Sequence, residues 1–261
     1  MNTAVQQNTK KLRRPAAVEF QKGRRLHLFL IPFGFFMVIL LWSVYASKDP
    51  SDYEKAQGYA YLFFEMPLLN CMTMPLMIAV LASRLCDMEI KGQTLKLLYT
   101  LQEKGSFYDW KYLHEAFYLL LFCLGEGLIF PLCGRLFGFT ETLSIILVIR
   151  HVAVAFIAGT VVLTLQHILS LCSGNQILPL VAGLAGSFLG LFSMFFPHEI
   201  ARLILWGYFG AFVPYSMNYD EAARLLSFSP AAFPVGEFAG FCIFGVAFYL
   251  VCRSVFLRRE V

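Results

Sequence analysis

The sequence predicts an all-α membrane protein with six transmembrane helices and both termini in the cytoplasm. A basic amphipathic segment precedes the first span, a charged cytoplasmic segment follows the second, and an outer re-entrant hairpin precedes the last. Three observations predict this. Hydrophobic residues make up 58% of the 261 and charged residues 15%, where soluble domains carry about 25% charged residues. Mean hydropathy is +0.65. Apolar runs recur along the chain, most of them near the ~20 residues a helix needs to cross a ~30 Å hydrocarbon core. The formal net charge of +4 does not point to nucleic acid, and its placement matters more than its size.

In chain order, residues 1–25 are polar and basic, with Lys10, Lys11, Arg13, Arg14, Lys22, Arg24 and Arg25 against the single acid Glu19. Pro15 suits the first turn of a short interfacial helix. The first span covers 26–46. Val44, Tyr45 and Ala46 resemble a signal-peptidase site, but the basic region and the apolar run are both too long for a cleaved signal, so the helix is retained. A short charged loop leads to the second span, 59–82, where Tyr59 and Tyr61 suit an interfacial aromatic belt. The charged segment occupies 83–111. The third, fourth and fifth spans cover 112–134, 142–171 and 177–196. Residues 197–235 carry Arg202, Gly207, Gly210, Pro230 and Pro234 and read as a helical hairpin that dips into or lies on the membrane, under cover of protein. The last span covers 236–252, and 253–261 is a basic tail. Residues 26–256 thus form a single six-helix transmembrane domain.

Orientation follows from Lys and Arg in the loops. Fifteen lie in the N-terminal segment, the 83–111 segment and the tail, against five in the loops on the other side. This places both termini and the charged segment in the cytoplasm. The seven cysteines never form a Cys-x-x-Cys pair and fall mostly in apolar runs, where free Cys acts as a small hydrophobe. No metal site or disulfide framework is expected.

The charged segment has Asp87 and Glu89 early and Lys91 and Lys96 late, the polarity that favours a helix dipole. Leu95, Leu98 and Tyr99 gather on one side. On these residues alone it reads either as a solvated linker or as a docking helix. Glu89, Lys91, Gly92, Thr94, Lys96, Leu97, Leu98, Tyr99 and Thr100, followed by Tyr108 and Lys111, resemble the corresponding loop of type 2 ABC-transporter permeases. Glu19 to Arg25, running into a span that contains Pro32, resembles their amino-terminal approach to the membrane. The nearest subgroup is the lantibiotic-immunity permeases.

The resemblance implies a coupling helix at about 87–101 that docks on an ATP-binding subunit, with Asp87, Glu89, Lys91, Gly92, Thr94 and Lys96 as its contact residues. It also implies a second permease subunit, as a heterodimer or a homodimer, residence in the bacterial plasma membrane, and an amphipathic antimicrobial peptide as substrate, expelled from the membrane. The chain has no Gly-x-x-x-x-Gly-Lys-Ser/Thr loop, so ATP and Mg belong on the partner and no cofactor is expected on this chain. Two alternatives remain: export of another amphipathic substrate, and a non-pumping immunity protein that binds the peptide.

Ionisable residues inside the spans are a second set of candidates: Glu65, Glu126, Arg150 and His151. Glu126 and Arg150 fall at similar depths, on the order of 12 Å from the outer ends of their helices, within reach of pairing. Their role is either to fix helix packing or to touch a cationic peptide. His167 reads as a helix-end histidine. Small residues form a third set, with Ala182, Gly186 and Gly190 on one face of the fifth span and Gly236 and Gly240 on the sixth, spacings that let helices approach closely in lipid. Enzyme readings fail on the residues. His198 and Glu199 are followed by Arg202 rather than a second His, and Asp220, Glu221 and Arg224 sit in a loop.

Overall fold

The computed structural model describes residues 21, 23, 27–92, 102–173, 175–221 and 224–259. Helix α1 covers Leu30–Ala46, and its Pro32 falls in the first turn, where no intrahelical donor is lost. A short helix α2 (Asp52–Lys55) starts in a capping box, Ser51 accepting from the Glu54 N–H while Glu54 accepts from the Ser51 N–H. Then come α3 (Gly58–Lys91) and α4 (Lys104–Phe137), of 34 residues each, which at 1.5 Å per residue are about 51 Å long. Gly138 closes α4 in the left-handed region (φ 66°), with Gly134 O accepting from the cap. Helix α5 (Ile145–Cys172) returns, and α6 (Ile177–Ser193) follows a tight turn in which Asn175 Oδ1 accepts from the Ile177 N–H at 2.9 Å.

Helices α3, α4, α5 and the last helix, α9 (Val235–Arg258), are long and apolar enough to cross a membrane. Helices α1 and α6 are apolar but have 17 residues each. The segments 47–57, 138–144, 194–221 and 224–234 lie at one end of the bundle, here the hairpin end. Residues 84–92, 102–111 and 253–259 lie at the other, the tail end.

Helix α3 is the axis of the bundle. In its most apolar window 72% of residues are buried, against 17% in α9, and it packs against α1, α4, α5 and α6. Phe63 of α3 stacks on Phe130 of α4 at 4.3 Å. Large apolar side chains cover the outside, among them Leu41 and Trp42 on α1, Val181 and Phe188 on α6, and Ile243 and Val246 on α9. This is the composition of a lipid-facing surface rather than a wet one.

Two expectations change here. Residues 83–91 are not a separate charged helix but the continuation of α3. Arg84, Leu85, Met88 and Glu89 are good helix formers, and Gly92 is the first residue that favours a stop. Residues 93–101, which hold most of the expected coupling helix with Thr94 and Lys96, lie outside the described residues.

The outer hairpin is not purely helical, so the fold is not strictly all-α. Helix α7 (His198–Ala201), a 3-10 turn (Leu205–Gly207) and α8 (Tyr208–Ala211) lead to two antiparallel strands, β1 (Tyr215–Asp220) and β2 (Leu225–Pro230). They pair with Tyr215 opposite Pro230 and Asp220 opposite Leu225. The reason is local. Tyr215, Met217 and Tyr219 alternate with polar Ser216, Asn218 and Asp220 through β1, and a turn residue sits at Arg224, φ 54°. Phe228 of β2 then packs on Tyr61 and Phe64 of α3.

Candidate functional site

Polar side chains inside this apolar bundle gather in two layers. The layer at the tail end begins with Lys111, which is fully buried. Its ammonium stands 3.7 Å from Glu89, donates to the Leu85 carbonyl at 3.1 Å and lies over the Phe107 ring. Glu89 is 3% exposed. Glu89 is therefore an internal tie between α3 and α4. A charged pair survives burial when each ion is matched and its remaining hydrogen-bond capacity is used.

One turn along α4, Glu115 bonds to His167 Nδ1 of α5 at 2.7 Å, and Cys86 Sγ lies 3.9 Å from its other oxygen. The edges of Tyr108 and Tyr112 pack on the His167 ring, and the Tyr112 hydroxyl donates to the Thr160 carbonyl at 3.0 Å. On the other side of α4, Asp109 accepts from Tyr249 at 2.7 Å and from both Arg253 Nε and Nη2, at 2.7 and 2.9 Å, which fastens α9. Cys86, Glu115 and His167 each place one metal-ligating atom within 4.8 Å of the others. The 2.7 Å contact between histidine and carboxylate is a hydrogen-bond length, shorter than the roughly 3.3 Å that separates two ligands bound to zinc at ~2.0 Å. The trio is a hydrogen-bonded cluster.

The second layer lies nearer the hairpin end, seven residues into α5. Asn70 of α3 donates to Glu126 Oε2 of α4 at 3.1 Å, and His151 Nε2 of α5 stands 3.6 Å from the same oxygen. All three are buried. Arg150 does not pair with Glu126. It lies over the Phe233 ring at 5.1 Å, because adjacent helix positions are rotated by about 100° and His151 takes the side facing α4. Toward the hairpin end, Glu65 accepts from Trp42 Nε1 at 2.7 Å and from the Tyr61 hydroxyl at 3.0 Å.

Among the other expected residues, Asp87 is half-buried, Gly92 is exposed, and Lys91 ends α3. On α6 the close-packed face holds Gly183 together with Gly186 and Gly190. A Cβ at Gly190 would stand 2.9 Å from the carbonyl oxygens of Cys71 and Trp206, and one at Gly186 would meet the Trp206 ring. Ala182 lies beside this face, half-buried. Gly236 and Gly240 meet nothing within 4 Å.

The sequence reading missed Asn70, Asp109 and Glu115, and it took His167 for an ordinary helix-end residue. The missed signals were a polar residue in mid-span for Asn70, and the four-residue spacing of Lys111 and Glu115, which places both on one helix face.

No curated protein matches the chain. The family model described as "ABC-2 family transporter protein" matches residues 17–190, more than half of the chain, and the match takes in α1 to α5, most of α6, and the Glu89–Lys111, Glu115–His167 and Asn70–Glu126 contacts. The chain belongs to the ABC-2 family of transporter proteins: it is a multi-pass membrane permease of an ABC transporter, the transport subunit in a family whose permeases work with an ATP-binding subunit.

Proposed function

We propose that this permease expels a lantibiotic-like antimicrobial peptide from the bacterial plasma membrane, driven by Mg-ATP hydrolysis on a separate ATP-binding subunit and paired with a second permease chain. In this reading α1 and α6 are tilted partners of the four long helices, which makes six spans. Both termini and residues 83–111 face the cytoplasm, as the Lys and Arg bias favours. The observation that carries the reading is the buried Glu89–Lys111 pair. The two motif residues that flank the 90–110 segment meet inside the bundle, so a load applied to that segment by a partner reaches α3 and α4 together. Asp87, Lys91, Gly92, Thr94 and Lys96 are then the contact set, and Glu89 is the anchor behind it. The lantibiotic-like substrate rests on the resemblance of this loop and of the amino-terminal approach.

The test is growth in graded lantibiotic of sensitive cells expressing the permease with its ATP-binding and second permease partners. Lys96→Glu should lower the tolerated concentration several-fold and reduce co-purification of the ATP-binding subunit, with membrane insertion unchanged. Unchanged protection and unchanged co-purification would remove this segment as the coupling contact. Full protection from the permease expressed without any ATP-binding subunit would overturn the pump reading.

A further inference from the structure

At the hairpin end, the loop after α1 and the β-hairpin enclose a cavity of about 440 Å³, within the size range of small-ligand sites. Its walls come from chain segments more than 160 residues apart, clipped together by two hydrogen bonds. The Tyr53 hydroxyl donates to the Leu226 carbonyl at 3.2 Å, and the Phe228 N–H donates to Gln57 Oε1 at 3.0 Å. The lining is of two kinds. Tyr53, Tyr61, Phe139 and Phe228 present aromatic surface, with Leu225 and Leu226 beside them. The charged lining is Lys48, Asp49, Glu54 and Arg224.

These charges are not equivalent. Lys48 stands 3.8 Å from Asp49 and offsets it. Glu54 is held by the Ser51 N–H and hydroxyl, both at 2.7 Å, and these bonds keep its carboxyl below the ordinary range and ionised. An ionised carboxylate held at the exposed rim of an aromatic-lined cavity is chemistry that suits an ammonium carried on an apolar body.

We propose that this cavity is the receptor site for a cationic, apolar peptide segment. The ammonium of a lysine is held by Glu54 and the tyrosine rings, and a large apolar neighbour rests on Leu225, Leu226 and Phe228. The proposal rests on the peptide-expelling reading above and adds where the peptide first docks. Arg224, at the turn of the hairpin, opposes the cation and sets a second, independent sign for the test. A peptide lysine is repelled by Arg224, whereas the phosphate of a lipid headgroup is attracted to it.

The experiment measures binding to the full chain in phosphatidylcholine nanodiscs without any ATP-binding subunit. The probe is a dansyl-labelled amphipathic peptide of lysine and leucine, with a glutamine–leucine analogue as the uncharged control. Glu54→Gln keeps the capping box of α2, because Gln serves at that position, and removes the charge alone. Saturable binding above that of empty discs is expected. It should weaken roughly tenfold in Glu54→Gln and in Tyr53→Leu, and strengthen roughly threefold in Arg224→Gln.

Equal binding of the uncharged analogue, or unchanged affinity in Glu54→Gln, overturns the proposal. Weaker binding in Arg224→Gln, with a phospholipid on the purified wild type that this variant loses, also overturns it and makes the cavity a headgroup site. A transport system that protects cells equally with and without Glu54→Gln sinks the receptor and leaves expulsion standing. A wild-type system that gives no protection sinks expulsion, whatever the binding shows.

Discussion

Lys111 carries the sharpest prediction at the scale of single residues. Its ammonium is buried against Glu89 and the Leu85 carbonyl, so Lys111→Met leaves a carboxylate in an apolar interior with one partner gone. Breaking a buried pair from one side costs about 3–5 kcal/mol. The variant should lose most of its yield or unfold at a clearly lower temperature in detergent. The double change Glu89→Leu with Lys111→Met should recover most of that loss, since an apolar replacement leaves no unmatched charge. Equal behaviour of the single and double variants would mean that the pair is not a stability element. The sequence held both residues in one motif but gave no sign that they touch, because 22 positions and the 93–101 segment separate them. Glu126 taught the opposite lesson. Its burial was legible from its place in an apolar run, but its partners were not, since Arg150 and His151 differ by one step and only their rotation around α5 decides which of them meets α4.

At the scale of elements, α6 depends on having almost no side chain at Gly190, where a Cβ would press on two backbone carbonyls that cannot yield. Gly190→Val should push α6 off α3 and the 3-10 turn, lowering the yield of folded protein by severalfold in fluorescence-detected gel filtration. Gly236→Leu, whose Cβ meets nothing, should give a folded permease in wild-type amount. A matching loss in both would show that α9 packs through a face open in the single chain. The small-residue spacing was readable on both helices. Which stripe is used within the subunit depends on neighbours distant in sequence, Cys71 and Trp206 for one and none for the other. Likewise the apolar periods foretold the long helices, whereas the β-hairpin escaped notice because its strands have 6 residues each and sit between prolines and charges that read as loop.

For the whole molecule, α9 is the least enclosed of the long helices. It is fastened near its two ends, by Arg202 to Glu237 at the hairpin end and by Asp109 to Arg253 and Tyr249 at the tail end. Between them, Gly245 brings it close to Val161 of α5. Asp109→Asn should therefore raise hydrogen exchange over residues 249–258 by at least tenfold and leave α3 and α4 protected. A uniform rise along all helices would show that the tail-end contact stabilises the whole bundle rather than one strut.

Among the described residues, polar contacts join α3 to α4 at two levels, at Glu89–Lys111 with Cys86–Glu115 beside it and at Asn70–Glu126, two rungs set roughly 22–28 Å apart along the rails. A ladder fixed at two rungs resists shear, so neither rail slides past the other and the pair tilts as one rigid plank. A tilt of about 5° about one rung carries the other by roughly 2 Å, the size of shift by which packed helices commonly change state. Polar contacts at two levels thereby convert a flexible pair of rods into a lever, and the joints that must bend are the ones around it.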